Sequence, residues 1–312
     1  MDRYAFVLRR PLQLVLVLFG ISLVTFVLAQ LTPGDPVRIM LGPRATLEAI
    51  ATVRARYGLD KPLLVQYGYY MMNLLRADFG QSLAFRTSVL NVILERLAPT
   101  LFLLAYGLVL SILLTLGLAI AAARNRGRWP DQAVRIFCVS VLGLPSFWLG
   151  LMLIILFSLR LRLFPVSGFG DSFIANLWHL FLPAVTIMLA VTPILTRNLR
   201  ATMIAQISAD YATAGRSKGL SEGYVFYRHV FWNSLLPTIS LLGIVVSFLI
   251  GGTVVVETVF NVPGMGQLMI RAVLTRDCFV VQGVTLFFAL GVVLTTFIVD
   301  VVTVALDPRV KL

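Results

Sequence analysis

Charge is what this sequence most lacks. Only 13% of its 312 residues are Asp, Glu, Lys or Arg, against roughly 25% in soluble domains. Apolar runs near 20 residues recur along the whole length, and a soluble core does not need them. No soluble stretch between them is long enough for a catalytic core. The chain reads as an all-α polytopic membrane protein. Cysteine is also scarce: Cys138 and Cys278 lie far apart with no CxxC partner, so neither a disulfide framework nor a metal site is supported. His179 and His229 are the only histidines, and neither HExxH nor His-x-x-x-His occurs. An intramembrane Ser–His hydrolase would need both groups to meet inside the membrane, and Ser146 has no histidine at its depth. No GxxxxGK[ST] stretch is present; Gly215-Arg216-Ser217-Lys218-Gly219 has the wrong spacing and no preceding strand. The chain has no phosphate-binding loop of its own.

What is present is apolar length, interrupted by basic loops. The first apolar run, Leu12–Leu31, is longer than the 7–15 residues of a signal-peptide core and ends at a turn, Thr32-Pro33-Gly34-Asp35-Pro36. An uncleaved first span is expected. The longest polar interval, 32–98, follows. Within it Thr46–Tyr57 has Leu47, Ile50 and Val53 on one side and Gly58 at its end, which predicts an amphipathic helix. Tyr67, Tyr69, Tyr70, Met71 and Met72 predict a second helix at the membrane interface, where aromatics concentrate. Asp78-Phe79-Gly80-Gln81-Ser82 is a turn, and Ser88 starts a stretch toward Pro99. Amphipathic helices usually cover apolar surface, so the plainer expectation for this insert is that it packs on the spans rather than docking a partner.

Five more spans are expected: Thr100–Ala123, Val134–Leu159, Leu180–Thr196, Leu235–Val256 and Val284–Leu306. The third contains Gly143-Leu144-Pro145-Ser146, which predicts a bend. Six spans put both ends on one side. The net charge is +12, which in a soluble protein would suggest nucleic acid; here it is read as basic cytoplasmic loops. Segments 1–11, 124–135, 197–228 and 309–311 hold fourteen Lys and Arg, while 159–180 and 258–283 hold four. The 32–98 segment exceeds the length over which charge bias acts. The termini and the polar hairpin 197–234 are therefore expected in the cytoplasm.

That hairpin separates the fourth and fifth spans. Asp210–Lys218 reads as a short helix ended at Gly219, since glycine suits the left-handed position and Lys218 the dipole. Ser221 can cap a second helix with Glu222 in its first turn. Ala209, Ala212, Ala214 and Gly215 offer a small-residue surface, and Tyr211, Val225, Phe226 and Trp232 offer anchors for a partner. Two carboxylates fall within spans, Glu257 and Asp300, and such residues default to functional hypotheses. No chain of intramembrane carboxylates suits a proton relay, so a helix-end carboxylate and an interhelix hydrogen bond are the plainer expectations.

Leu31-Thr32-Pro33-Gly34-Asp35-Pro36, Tyr57-Gly58-Leu59-Asp60-Lys61-Pro62 and Asp78-Phe79-Gly80-Gln81-Ser82 resemble signatures of one family. So do Asp210-Tyr211…Ala214…Lys218-Gly219-Leu220-Ser221…Arg228-His229…Asn233…Leu236-Pro237, Glu257-Thr258-Val259-Phe260 with Pro263-Gly264-Met265-Gly266, Arg276-Asp277 and Asp307-Pro308-Arg309. In this order, over essentially the whole chain, they resemble the permease subunits of dipeptide/oligopeptide (peptide/nickel class) ABC importers. The Glu-Ala-Ala start of the general coupling motif is Thr213-Ala214-Gly215 here, and Gly219 lies farther from Leu236-Pro237.

The resemblance implies a type I importer permease with six transmembrane helices: residues 1–98 as first helix plus extracytoplasmic insert, and 99–312 as the transmembrane domain. It implies a bacterial inner-membrane complex with a second permease, two ATP-binding subunits and an extracytoplasmic solute-binding protein. It raises docking above packing for the 32–98 insert. Asp210, Tyr211, Ala214, Gly215, Lys218, Gly219, Leu220 and Ser221 would couple to the ATPase. ATP and Mg would be bound by the partners and no cofactor by this chain. The implied cargo is peptide, with nickel chelates or glutathione as alternatives; an autonomous secondary transporter would need matched broken helices or intramembrane charges.

Overall fold

The computed structural model describes residues 2–31, 46–58, 60–82 and 84–306, with side chains in the first helix from Val15 onward. The turn expected at Thr32–Pro36 and the closing Asp307-Pro308-Arg309 lie outside the described residues. All named elements are helices: α1 (Asp2–Leu31), α2 (Leu47–Tyr57), α3 (Leu63–Leu75), α4 (Val89–Arg124), α5 (Trp129–Leu142) and α6 (Ser146–Arg160). Then come α7 (Phe173–His179), α8 (Phe181–Ile207), α9 (Asp210–Ser217), α10 (Glu222–Val259), α11 (Met265–Leu274) and α12 (Cys278–Leu306). Among the described residues, α4, α8, α10 and α12 are long and apolar enough to cross a membrane, and Val15–Leu31 is a shorter apolar stretch. The bend expected at 143–146 is a break: α5 and α6 meet at 102°, and together they would make a fifth span.

The chain forms two compact units, Met1–Ala98 with Gly264–Val293, and Pro99–Pro263 with Leu294–Leu312. In the first, α3 packs on α1 through Tyr67. Its hydroxyl lies 2.9 Å from Ser22 Oγ, and its ring meets Phe19 and Phe26 edge-on. Gly58, at φ +64°, ends α2. A core of Val89, Val92, Ile93, Met265, Leu268, Ala272, Val280 and Val284 joins the start of α4 to α11 and the start of α12. The carboxylate of Asp277, fully buried, fastens the 78–88 loop to this core. It accepts from Ser82 Oγ at 2.6 Å, from Ala84 N at 3.0 Å and from Val280 N at 3.3 Å. The Arg276-Asp277 pair is thus a helix-to-helix corner. Arg276 takes the left-handed position after α11 (φ +55°), while Asp277 caps the first turn of α12.

In the second unit small residues let helices approach closely, as is common in membranes. A Cβ on Gly107 of α4 would lie 2.7 Å from Ile187 Cγ2 of α8, and one on Gly243 of α10 would lie 2.8 Å from both Cγ atoms of Val299 in α12. The main core gathers Leu103, Ile154, Leu180, Leu182, Ile187, Leu195, Val256 and Phe260, among others. A separate core of Ala119, Ala123, Leu199, Met203, Ala212, Val225, Phe226 and Val230 sits under the hairpin.

Candidate functional site

The hairpin is tighter than its sequence suggests. The helix of the fourth span continues through the polar residues to Ile207, and the second arm is continuous with the fifth span as α10. Nothing between Arg197 and Gln206 is a helix breaker. In α10, Val225–Phe231 adopt π-helical geometry, which inserts a residue without ending the helix. What remains between the long helices is Ser208, Ala209, α9 and the turn at 218–221.

The ends of α9 follow from its residues. Asp210 lies in the first turn and Arg216 in the last, each on the side the helix dipole favours. Gly219 stands at φ +81°; its N–H bonds Arg216 O at 2.9 Å, and Leu220 N bonds Gly215 O at 3.3 Å, which is the Schellman closure. Ser221 Oγ then accepts from Tyr224 N and caps α10.

Burial divides the hairpin residues into two sets. Ala212 and Gly215 face inward, and a Cβ on Gly215 would touch Val225 Cγ2 at 3.4 Å. Val225 and Phe226, expected as anchors for a partner, belong instead to the chain's own core. Asp210, Tyr211, Ala214, Lys218, Gly219, Leu220 and Ser221 are exposed together, as is Trp232. Tyr211 donates its hydroxyl hydrogen bond to Gln206 Oε1, which steadies the ring over the α8 end.

Two arginines absent from the sequence-derived candidates, Arg216 and Arg124, brace this hairpin, and a third, Arg200, ties α8 to α5. Arg216 donates from Nε to Glu222 Oε1 at 2.9 Å and from Nη1 to Ile207 O at 3.2 Å, so it ties α9 to both flanking helices. Arg124, at the end of α4, lies 5.6 Å from the Phe226 ring centre and donates to Tyr227 OH at 3.3 Å. Arg200 of α8 forms a two-pronged pair with Asp131 of α5, at 2.5 Å (Nε to Oδ1) and 2.7 Å (Nη2 to Oδ2). The signal for that pair was in the sequence: Asp131 is the only carboxylate between Glu95 and Asp171. Farther along, Asn198 Nδ2 donates to Thr238 Oγ1 at 3.2 Å and Thr202 Oγ1 to Ser234 O at 3.3 Å, fastening α8 to α10.

The two span carboxylates lie elsewhere. Glu257, in the last turn of α10, is 0% exposed and accepts from Thr100 Oγ1 at 2.6 Å. It is a helix-end carboxylate, as expected, yet sealed within the unit rather than interfacial. Asp300 is half-buried in α12. Among the described residues no group of three or more His, Cys, Asp and Glu could hold a metal ion.

This geometry defines a helical membrane protein with a short hydrogen-bonded hairpin between two long helices. A solved structure described as an amino acid ABC transporter with histidines shares the fold at TM-score 0.52, with 13% identity over 70% of this chain and 94% of that one. Residues 114–312 match the binding-protein-dependent transport system inner membrane component family, and residues 3–104 match its N-terminal family. The chain belongs to this family, as a permease subunit of an ABC importer: a translocation component, not an enzyme, in the bacterial inner membrane. Similar proteins include the glutathione transport system permease protein GsiC of Salmonella typhi and that of Escherichia coli K12, each 37% identical over 307 residues, covering 98% of both chains.

Proposed function

We propose that this chain is one half of a permease heterodimer that imports di- and oligopeptides into the cytoplasm, powered by ATP hydrolysis on two separate subunits. The hairpin carries the proposal. Seven of the eight residues expected to couple are exposed side by side, and the eighth, Gly215, lets α9 seat closely on Val225. A partner groove receiving α9 would move a body braced to both adjoining helices by Arg216. ATP and Mg belong to the ATPase subunits.

With α1 taken as a span beside the α5–α6 pair and the four long helices, the termini and the hairpin share one side of the membrane. The excess of Lys and Arg in their segments supports reading that side as the cytoplasm. The segment containing α2, α3 and the 78–88 loop would then face outward, toward a solute-binding protein. Glutathione is the second substrate reading, because the relatives at 37% identity are named for its transport. It is itself a tripeptide with one unusual linkage, so the two readings share a chemical class.

The test is uptake by vesicles holding the permease pair, the ATPase subunits and the binding protein, with labelled dipeptide, oligopeptide or glutathione. ATP-dependent uptake of one of them, lost without the ATPase subunits, is expected. Uptake that persists without those subunits contradicts the proposal.

A further inference from the structure

We propose that Asp131 and Arg200 form a positioning clamp that makes α8 and α5 move as one body when the hairpin is displaced. The inference rests on the coupling role proposed for residues 210–221. α8 runs unbroken to Ile207, with only Ser208 and Ala209 before α9, so a displacement of α9 is delivered to α8 first. Arg200 stands two turns from the end of α8. Asp131 stands in the first turn of α5, the first half of the broken span.

The pair is built to fix orientation as well as distance. Asp131 is 1% exposed, and both its carboxylate oxygens are engaged by the guanidinium fork, one at 2.5 Å and one at 2.7 Å. Gly127 N, from the turn ahead of α5, donates to Oδ2 at 3.0 Å. A planar fork on a planar carboxylate resists rotation as well as separation, and little water reaches it to compete. α5 then stops at Leu142, and Gly143, Leu144 and Pro145 carry the chain through 102° into α6. That break is where a tilt of α5 can be absorbed. The clamp therefore ties α5 to α8 through a polar fork of fixed orientation; α6 meets α8 through apolar side chains around Ile154 instead, and the break at 143–145 lets α5 tilt relative to α6. Coupling requires such an element with two arrangements that both sites bias.

The test compares uptake per ATP hydrolysed in the fully assembled importer, with assembly measured on the same preparation. Asp131→Asn keeps the shape and removes the charge; Arg200→Lys keeps the charge and removes the fork. Asp131→Asn is expected to assemble and hydrolyse ATP while uptake per ATP falls at least about fivefold, the low end of coupling between sites. Arg200→Lys is expected to fall less. An unchanged ratio in Asp131→Asn overturns the clamp, and so does failure of both variants to assemble, which would make the pair merely structural. A ratio that ignores Gly219→Val as well defeats the coupling role of the hairpin itself. A ratio that responds to Gly219→Val but not to Asp131→Asn defeats the clamp alone.

Discussion

Arg216 and Glu222 face each other across the Gly219 turn at 2.9 Å, and the same guanidinium reaches back to the carbonyl of Ile207 at 3.2 Å. The two contacts differ in weight. Glu222 is 77% exposed, and an exposed ion pair contributes between about 0 and 1 kcal/mol. The Ile207 carbonyl ends a helix, where unsatisfied acceptors gather. Glu222→Ala should therefore change the hairpin little. Arg216→Ala should raise hydrogen exchange at residues 207–221 severalfold, consistent with a charged hydrogen bond of roughly 1.5–3 kcal/mol discounted for its partial exposure. Equal exchange in both variants would show that the brace is idle.

Gly219 separates backbone strain from steric clash. Nothing lies within 4 Å of the position its Cβ would take, but its φ is +81°. A β-branched residue there costs about 1–2 kcal/mol, whereas Asn tolerates the left-handed region. Gly219→Val should lower uptake per ATP or block assembly, and Gly219→Asn should stay near wild type. The check is assembly, ATP turnover and uptake measured side by side. Normal transport by the Val variant would remove the turn from the coupling account.

Close helix approach makes two other glycines sensitive for the opposite reason. Gly107→Ala drives a methyl to 2.7 Å from Ile187, and Gly243→Ala drives one to 2.8 Å from Val299. Overpacking of this kind costs about 1–3 kcal/mol. Gly117→Ala and Gly251→Ala meet nothing within 4 Å and should be neutral or stabilising by up to about 1 kcal/mol. Thermal unfolding of the four purified variants in detergent tests the contrast. In a double-mutant cycle Ile187→Ala, which removes the Cγ2 that the new methyl strikes, should offset part of the Gly107→Ala loss.

Asp277 should behave as a structural pin. Asp277→Ala leaves Ser82 Oγ, Ala84 N and Val280 N without their buried acceptor, and a stranded buried donor costs about 1–3 kcal/mol. Protease cleavage within residues 82–88 should accelerate, and Ser82→Ala should show a smaller effect of the same sign. No acceleration in Asp277→Ala would mean that the loop is held by its other contacts.

Local signals were legible in the sequence and distant ones were not. Gly58, Gly219, Ser221 and the Gly143–Ser146 break each act within a few residues, so composition alone points to them. Helix ends at Ala77 and Arg276 use left-handed residues other than glycine or asparagine, and nothing local marks them. The reach of α8 to Ile207 and the continuity of the Ser221-capped helix with the fifth span were not legible. The polar residues of 197–234 set the hairpin apart from the apolar runs, although none of them breaks a helix. Val225 and Phe226 looked like partner anchors until the fold turned them inward. Asp131 and Arg200 stand 69 residues apart, and Ser82 and Asp277 stand 195 apart. Such pairs are products of packing, and only an isolated acid in a basic segment hinted at one of them.

The central claim is that the exposed hairpin face meets the ATPase. The most direct measurement places a photo-cross-linking residue at Tyr211 or Leu220 in the assembled importer, with Trp129 as an exposed control outside the hairpin. The account predicts a covalent product with the ATP-binding subunit from Tyr211 and Leu220, with a yield that changes on adding ATP. Cross-links from these positions only to lipid or to the second permease, in a complex that transports, would contradict it.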